Sequence, residues 1–394
     1  MGHRLAALLC LAATLGCGAS GAPKTNADNF GWVERGSAYA RPGEGGFNVR
    51  WSRQLTDRTE ARYLPVELSG AGFDLKRERV YVGTTEGNMF AFDIEGRRRF
   101  FYDAGSQVES HPAVDAKTGE IYFASVDGAM HALVPDGTLK WKTKLIGTIR
   151  TTPVLTKDAL YIVSEHDEIT ALALDDGRIL WTYAKDPVDE ITIGGHAGLL
   201  LAEGRLYAAF TDGAVTSLNP SDGRVYWEVE TALDVERRPG NVPQFLDVDT
   251  TPVLLRGTLY IASFTAGLYA LNPTSGTVEW RDATFTGVTG LAAAGRMLVI
   301  ASALRGISLL DLRTRRVRWE KAPERGAPTQ PIVTETGTVV YGETQGSLLA
   351  LSLSDGREIA RAEGGAGFSA TPATHGRVGG AMSNGGRFLF LRIN

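Results

Sequence analysis

The sequence predicts an all-β chain whose eight copies of one motif close into an eight-bladed β-propeller, and three observations carry that expectation. A phrase recurs with a period near 40 residues, each copy holds short alternating apolar segments, and an Asp-Gly- or Ser-Gly-type turn separates them. It is plainest in GAMHALVPDGTLKW (128–141), EITALALDDGRILW (168–181), GAVTSLNPSDGRVYW (213–227), GLYALNPTSGTVEW (267–280) and GISLLDLRTRRVRW (306–319). Weaker copies are GNMFAFDIEGRRRF (87–100), GSLLALSLSDGREIA (346–360) and the truncated GRFLFLRIN (386–394). The copies begin at 87, 128, 168, 213, 267, 306, 346 and 386, giving intervals of 41, 40, 45, 54, 39, 40 and 40. Alternation such as Leu268 and Ala270 against Tyr269 and Leu271 fits strands packed on both faces. Glycines, 47 in all, and β-branched residues recur where helix interiors would be, which argues against helical repeats of similar length.

Taken in order, residues 1–16 read as a lipoprotein signal peptide: Arg4, then an apolar run from Leu5 to Leu15 too short to span a membrane. The run ends Ala13-Thr14-Leu15-Gly16-Cys17, similar to a bacterial lipobox, with Thr14 where leucine is usual and Leu15 where a small residue is common. That resemblance makes Cys17 the lipidated first mature residue; cleavage near Ala19 is the alternative. Residues 17–46 read as a Gly-, Ala-, Ser-, Asn- and Pro-rich tether, with a coil reach on the order of 30 Å. The propeller is expected over 47–394. Its eighth copy lacks a final tryptophan strand, and the lone strand Phe47-Asn48-Val49-Arg50-Trp51 can complete that blade and close the ring. Closure would remove two open sheet edges.

Composition narrows the chemistry. A net charge of −4 and pI near 6.0 give no global basic field for nucleic acid. Cys10 and Cys17 are the two cysteines, one inside the leader, so the exported domain has no internal disulfide. No pair among His3, His111, His131, His166, His196 and His375 has metal-ligand spacing. Neither a nucleophile elbow nor a phosphate-cradling glycine loop is present. His166-Asp167-Glu168 reads as a solvated turn. The repeated Trp141, Trp181, Trp227, Trp280 and Trp319, with Tyr122, Tyr161, Tyr207 and Tyr260, read as packing between blades rather than a ligand cage.

In a repeat protein, function is sought where the period stretches. The intervals of 45 and 54 carry extra length after a blade-ending tryptophan, in 183–198 and 228–249. Such connections emerge on one face of a propeller, so the two would make one projecting patch. Asp186, Asp189, Glu190, Asp234, Glu236, Asp247 and Asp249 give it an acidic rim, and Ile191, Ile193, Val242, Phe245 and Leu246 give apolar anchors. That mixture suits a protein interface. Ile191-Thr192-Ile193 alternates like a strand and could pair with a partner's sheet edge. The phrase Thr-Thr-Pro-Val occurs at 151–154 and at 250–253, preceded by Ile149-Arg150 in the first case and Asp247-Val248-Asp249 in the second.

The tryptophan repeat resembles that of the quinone-cofactor propellers, which dock blades around pyrroloquinoline quinone. Those enzymes are much longer, carry calcium-binding loops and often hold an adjacent cysteine pair, none of which stands in this chain. An exported lipoprotein of eight blades, with DVDTTPV after the fourth blade's long loop, resembles the BamB family, lipoprotein subunits of the outer-membrane β-barrel assembly machinery. The resemblance implies a non-catalytic scaffold without cofactor, lipid-anchored in the outer membrane through Cys17 and facing the periplasm. It implies a monomer within a hetero-complex that contacts the POTRA domains of a BamA-like barrel subunit, with unfolded outer-membrane proteins as further clients. The contacts it implies are Asp247 and Asp249, with Ile191 and Ile193 at the family's Leu-x-Leu positions; Gly194 stands where the family has arginine. Two other readings are a periplasmic propeller with a different partner and a quinoprotein dehydrogenase.

Overall fold

A computed structural model of the chain describes residues 39–40, 45–57, 67–185, 197–231, 248 and 250–394. Among these residues the strands assemble into eight antiparallel sheets of four strands each, one of them extended by a fifth. Blade 1 runs Ala71–Asp74, Arg79–Gly83, Asn88–Asp93 and Arg98–Asp103, from the inside of the ring outward. Blades 2 to 7 repeat that order, and their outermost strands are Leu139–Lys144, Ile179–Ala184, Val225–Glu230, Val278–Asp282, Arg316–Lys321 and Glu358–Ala362. Blade 8 takes three strands from the C-terminal end and its outermost, Phe47–Gln54, from the N-terminal side. Phe47 pairs with Ile393 and Gln54 with Arg387, so the ring closes as the lone N-terminal strand predicts.

Strand pairing begins ahead of residue 47. Tyr39–Ala40 adds to the outer edge of blade 7, opposite Arg361 and Ala360, covering main-chain groups that an outermost strand otherwise leaves open.

The core is divided among the joints between blades. Among the described residues eight buried clusters occur, and each draws on two neighbouring blades, as Leu160 and Ile162 of blade 3 pack with Met130 and Trp141 of blade 2. Sheets buried on both faces explain why many middle strands read as unbroken apolar runs: Ile121–Ala124, Ala159–Val163 and Gly267–Leu271 are buried at every position. Outermost strands face solvent on one side and alternate, as in Ile179–Ala184.

The tryptophans form the joints, as their spacing predicts. Each sits just after a bulge in its outermost strand and lies on the third turn of the next blade. The indole N–H groups donate across the joint: Trp51 to Ile94 O (2.8 Å), Trp141 to Leu174 O (3.0 Å), Trp181 to Pro220 O (3.0 Å), Trp227 to Pro273 O (2.9 Å) and Trp319 to Leu353 O (2.9 Å). Beneath each ring is a glycine. At Gly177 φ is +71° and a Cβ would lie 2.4 Å from Trp141 Cε3, so both backbone and space exclude a side chain. One joint differs. Where blade 6 should offer glycine it has Arg315, at φ 53°, with its guanidinium 4.9 Å above the Trp280 ring. Tyr122, Tyr161, Tyr207 and Tyr260 pack against the tryptophan of their own blade, and Tyr207 also donates to Pro273 O (3.2 Å) of the next.

Candidate functional site

Five residues expected to carry function, Cys17, Ile191, Ile193, Asp247 and Asp249, lie outside the described residues, as do Gly194 and the whole of the acidic rim. The structure does describe the four feet from which the two stretched connections leave and return. One end of the ring carries both kinds of loop, because outermost strands finish beside the second turn of their blade: Ala104 N–H donates to Gly87 O, Leu145 N–H to Gly128 O and Thr231 N–H to Gly213 O.

The four feet gather around the second turn of blade 4, Phe210 to Gly213. The first connection leaves after Lys185, whose ammonium lies 2.6 Å from Asp212 Oδ2, 3.2 Å from Glu228 Oε1 and 3.7 Å from Glu230 Oε1. It stands 5.5 Å over the Phe210 ring. The same connection returns at Ala197 and Gly198, where the Gly198 N–H donates to Thr251 Oγ1 (2.9 Å). The second leaves after Thr231, which is buried and donates its hydroxyl to Gly213 O (2.8 Å). It returns at Val248, whose N–H donates to Phe210 O (3.3 Å). Val248 and Ala197 share one buried cluster with Trp227 and Tyr269.

Electrostatics tighten this platform. Burial alone would lower the Lys185 pKa, but the Asp212 hydrogen bond and charge, with those of Glu228, outweigh it and hold the value above the ordinary one. Glu228 is raised by burial and pulled down further by Lys185, Tyr183 and Thr216, ending below its ordinary value. Glu230, farthest from the ammonium, is pushed up by burial and then by the Asp212 charge. Burial and the Glu228 hydrogen bond push the Tyr183 hydroxyl up to about 12.

The phrase DVDTTPV resolves into parts. Thr250 Oγ1 accepts from Ala262 N–H (2.8 Å) and donates to Ala262 O (3.1 Å); Ser110 does the same with Ala124 in blade 2, and Thr151 donates to Val163 O in blade 3. Val248 also has counterparts in Val108 and Ile149, all three buried. Between apolar residue and hydroxyl stands Glu109 in blade 2, Arg150 in blade 3 and Asp249 in blade 5. Arg150 bridges Glu109 and Glu165 across blades 2 and 3. What is local to the phrase is therefore Asp247, since the acid at 249 has a counterpart in Glu109 of blade 2.

One expectation is corrected. Asp167 is not in a solvated turn: it is buried, and its carboxylate accepts from Thr211 N–H (3.4 Å) and Oγ1 (2.5 Å), tying blade 3 to blade 4. Sequence reading missed the Lys185 cluster, although Glu228 and Glu230 two apart on an outermost strand must share a face. His111 and His131 are each held at about 4 by burial and so stay neutral. Among the described residues no group of three or more His, Cys, Asp or Glu side chains is placed to hold a metal ion.

Ring closure, tryptophan docking and a loop platform on one end define a pyrroloquinoline-quinone-type repeat propeller whose distinctive surface lies on its connections. The family described as outer membrane protein assembly factor BamB matches residues 113–321, and the chain belongs to that family. A relative from Bordetella pertussis, named outer membrane protein assembly factor BamB, is 22% identical over 330 residues, covering 83% of this chain and 84% of its own. The crystal structure of BamB from Moraxella catarrhalis superimposes with a TM-score of 0.73 at 18% identity, over 88% of this chain and 100% of that one. Quinohemoprotein alcohol dehydrogenase from Comamonas testosteroni shares the fold at a TM-score of 0.66 and 13% identity, over 94% of this chain and 78% of that one. Likeness at these identities speaks to fold; the curated relatives are named as assembly factors.

Proposed function

We propose that this chain is a non-catalytic scaffold subunit of an outer-membrane protein assembly complex, and that its two stretched connections bind the POTRA domains of a BamA-like barrel subunit. The observation that carries the reading is the gathering of the loop feet at one place, three of them on the Phe210–Gly213 turn and the fourth packed with Val248, in a chain of the BamB family. Neighbouring feet on a rigid base let two loops act as one surface, which preorganises binding. In this reading Asp247 and Asp249 supply charge and Ile191 and Ile193 the apolar contact. Acyl chains on Cys17 anchor the protein to the outer membrane, each buried methylene contributing about 0.8 kcal/mol, with the ring in the periplasm. Client barrel strands would be held near the POTRA domains during insertion.

Asp247→Arg with Asp249→Arg tests the reading. We expect the double variant to lose co-purification with the barrel-assembly complex at an unchanged thermal melt. Retained co-purification would refute the interface. The departure at Gly194 favours a different partner; crosslinking from position 193 in membranes and identifying the adduct separates the two. Dye reduction in the presence of pyrroloquinoline quinone and calcium would instead establish a dehydrogenase.

A further inference from the structure

The end of the ring opposite the loop platform is made of first and third turns, and in most blades the third turn is acidic. Asp136, Asp176, Asp222 and Asp355 each accept a backbone N–H there, from Thr138, Arg178, Arg224 and Arg357. The repeat thus supplies its own internal comparison, and blade 6 departs from it. Its third turn reads Leu312-Arg313-Thr314-Arg315, followed by Arg316. Arg296 stands in the first turn of the same blade and Arg256 in the first turn of blade 5. All five arginines are exposed.

They lie on one surface across the joint of blades 5 and 6. Met297 pairs with Asp311, which sets Arg296 beside Leu312 and Arg313. Arg315 crosses the joint to cover Trp280 of blade 5. Leu255 pairs with Thr258 around Arg256, and Thr258 donates to Glu279 Oε2 (3.4 Å), next to Trp280. The carboxylates beside these turns are Glu279 and Asp311. Asp311 is already engaged by Arg318 at 2.5 Å and by the backbone N–H groups of Arg313 and Thr314. Among the described residues Arg256, Arg296, Arg313 and Arg316 form no ion pair. In a chain of net charge −4 this is a local concentration of uncompensated positive charge.

We propose that this end of blades 5 and 6 is a docking surface for the phosphate headgroups of an anionic lipid membrane. Two features select that occupant. The patch is built of turn tips rather than a cleft, so it meets a flat array of phosphates better than one small anion. Beside the arginines are the partly exposed Val278 (37%) and Val317 (38%), shallow apolar contacts suited to the headgroup boundary, and no exposed aromatic ring for stacking a nucleobase stands among these turns. Guanidinium groups near an anionic leaflet are attracted additively, and the attraction falls within a Debye length. The proposal does not depend on which protein the loop platform binds.

The test is co-sedimentation of the full chain, carrying Cys17→Ser so that no acyl chain contributes, with vesicles of phosphatidylglycerol or of phosphatidylcholine. We expect binding to phosphatidylglycerol vesicles that weakens in high salt and exceeds binding to phosphatidylcholine. Arg256→Gln, Arg296→Gln, Arg313→Gln and Arg316→Gln together should lower it by roughly tenfold or more. The melt should be unchanged, because these side chains make no folded-state pair. A charge-matched control, Arg50→Gln with Lys76→Gln, Lys117→Gln and Lys157→Gln, should bind like the parent. Equal loss in both variants, or no preference for the anionic vesicles, overturns the proposal. Binding to polyglutamate but not to vesicles would also overturn it, in favour of an acidic protein partner.

Discussion

Replacing Lys185 by methionine keeps an unbranched side chain, one heavy atom shorter, and removes the ammonium with its charge and its donors. The ammonium it removes is 12% exposed and faces Asp212, Glu228 and Glu230, which are 20%, 35% and 39% exposed. Breaking a fully buried ion pair costs about 3–5 kcal/mol because the remaining charge stays buried. Here solvent reaches the carboxylates and screens them, so about 2 kcal/mol is the expected loss. For a ring of this size that lowers the melting temperature by roughly 3 °C. The pH dependence follows from the shifts. Glu228 has a folded pKa below its ordinary 4.5, so its contribution is present above that value and lost as pH falls through the folded one. Lys185 has a folded pKa above 10.5; its contribution is present below 10.5 and lost as pH rises through the folded value. Glu230 works the other way: its folded pKa is raised, so its contribution is full below 4.5 and lost as pH rises. The difference between parent and variant should therefore be widest from about pH 6 to pH 10 and shrink in acid. Urea titrations across that range, with Lys185→Arg as the charge-retaining comparison, measure it. A difference that is flat with pH, or an arginine variant as weak as methionine, would refute the account.

Three further outcomes follow from the joints. Gly177→Ala should cost about 2–4 kcal/mol in equilibrium unfolding, adding a left-handed backbone penalty to overpacking against Trp141. Arg315→Gly, at the matching place, should fall within about 0.5 kcal/mol of the parent, since relief of φ 53° offsets the lost contact with Trp280. Tyr207→Phe should lose about 1 kcal/mol with its bond to Pro273, whereas Tyr341→Phe should be neutral or stabilising, because that buried hydroxyl has no partner.

The fold was legible because one physical rule is repeated. A tryptophan after an outermost-strand bulge must lie on something flat, and a glycine at the next third turn leaves both the space and the backbone freedom; the two recur together at five of the eight joints, and the period near 40 extends the count to the rest. Even the ring's closure could be read, since Trp51 obeys the rule with Gly96. Less was legible where a residue's environment comes from a different blade. Asp167 looks like any polar turn residue until Thr211, 44 positions on, covers it. Lys185 looks like a strand end until Asp212 and Glu228 surround it. Tyr39–Ala40 carries no alternation long enough to mark a strand, and only the open edge of blade 7 makes it one.

The same reasoning bears on where specificity resides in the loop platform. Val248 and Thr250 could have been taken as part of a special phrase, but Val108 with Ser110 and Ile149 with Thr151 occupy the same places and do the same work. The scaffold thus fixes the backbone on both sides of position 249 while leaving the side chain between them free to vary. Blade 3 uses that freedom for Arg150, which its neighbours Glu109 and Glu165 neutralise within the ring. Blade 5 uses it for Asp249, in a stretch where Asp247 adds charge of the same sign. A charge consumed by the ring contributes to joining blades, and a charge repeated with like sign disfavours the ring unless something outside balances it. Glu109 has the sign of Asp249 and is neutralised inside the ring by Arg150, so it is the second acid, Asp247, that sets blade 5 apart and is the physical reason to look for a cationic partner at this platform.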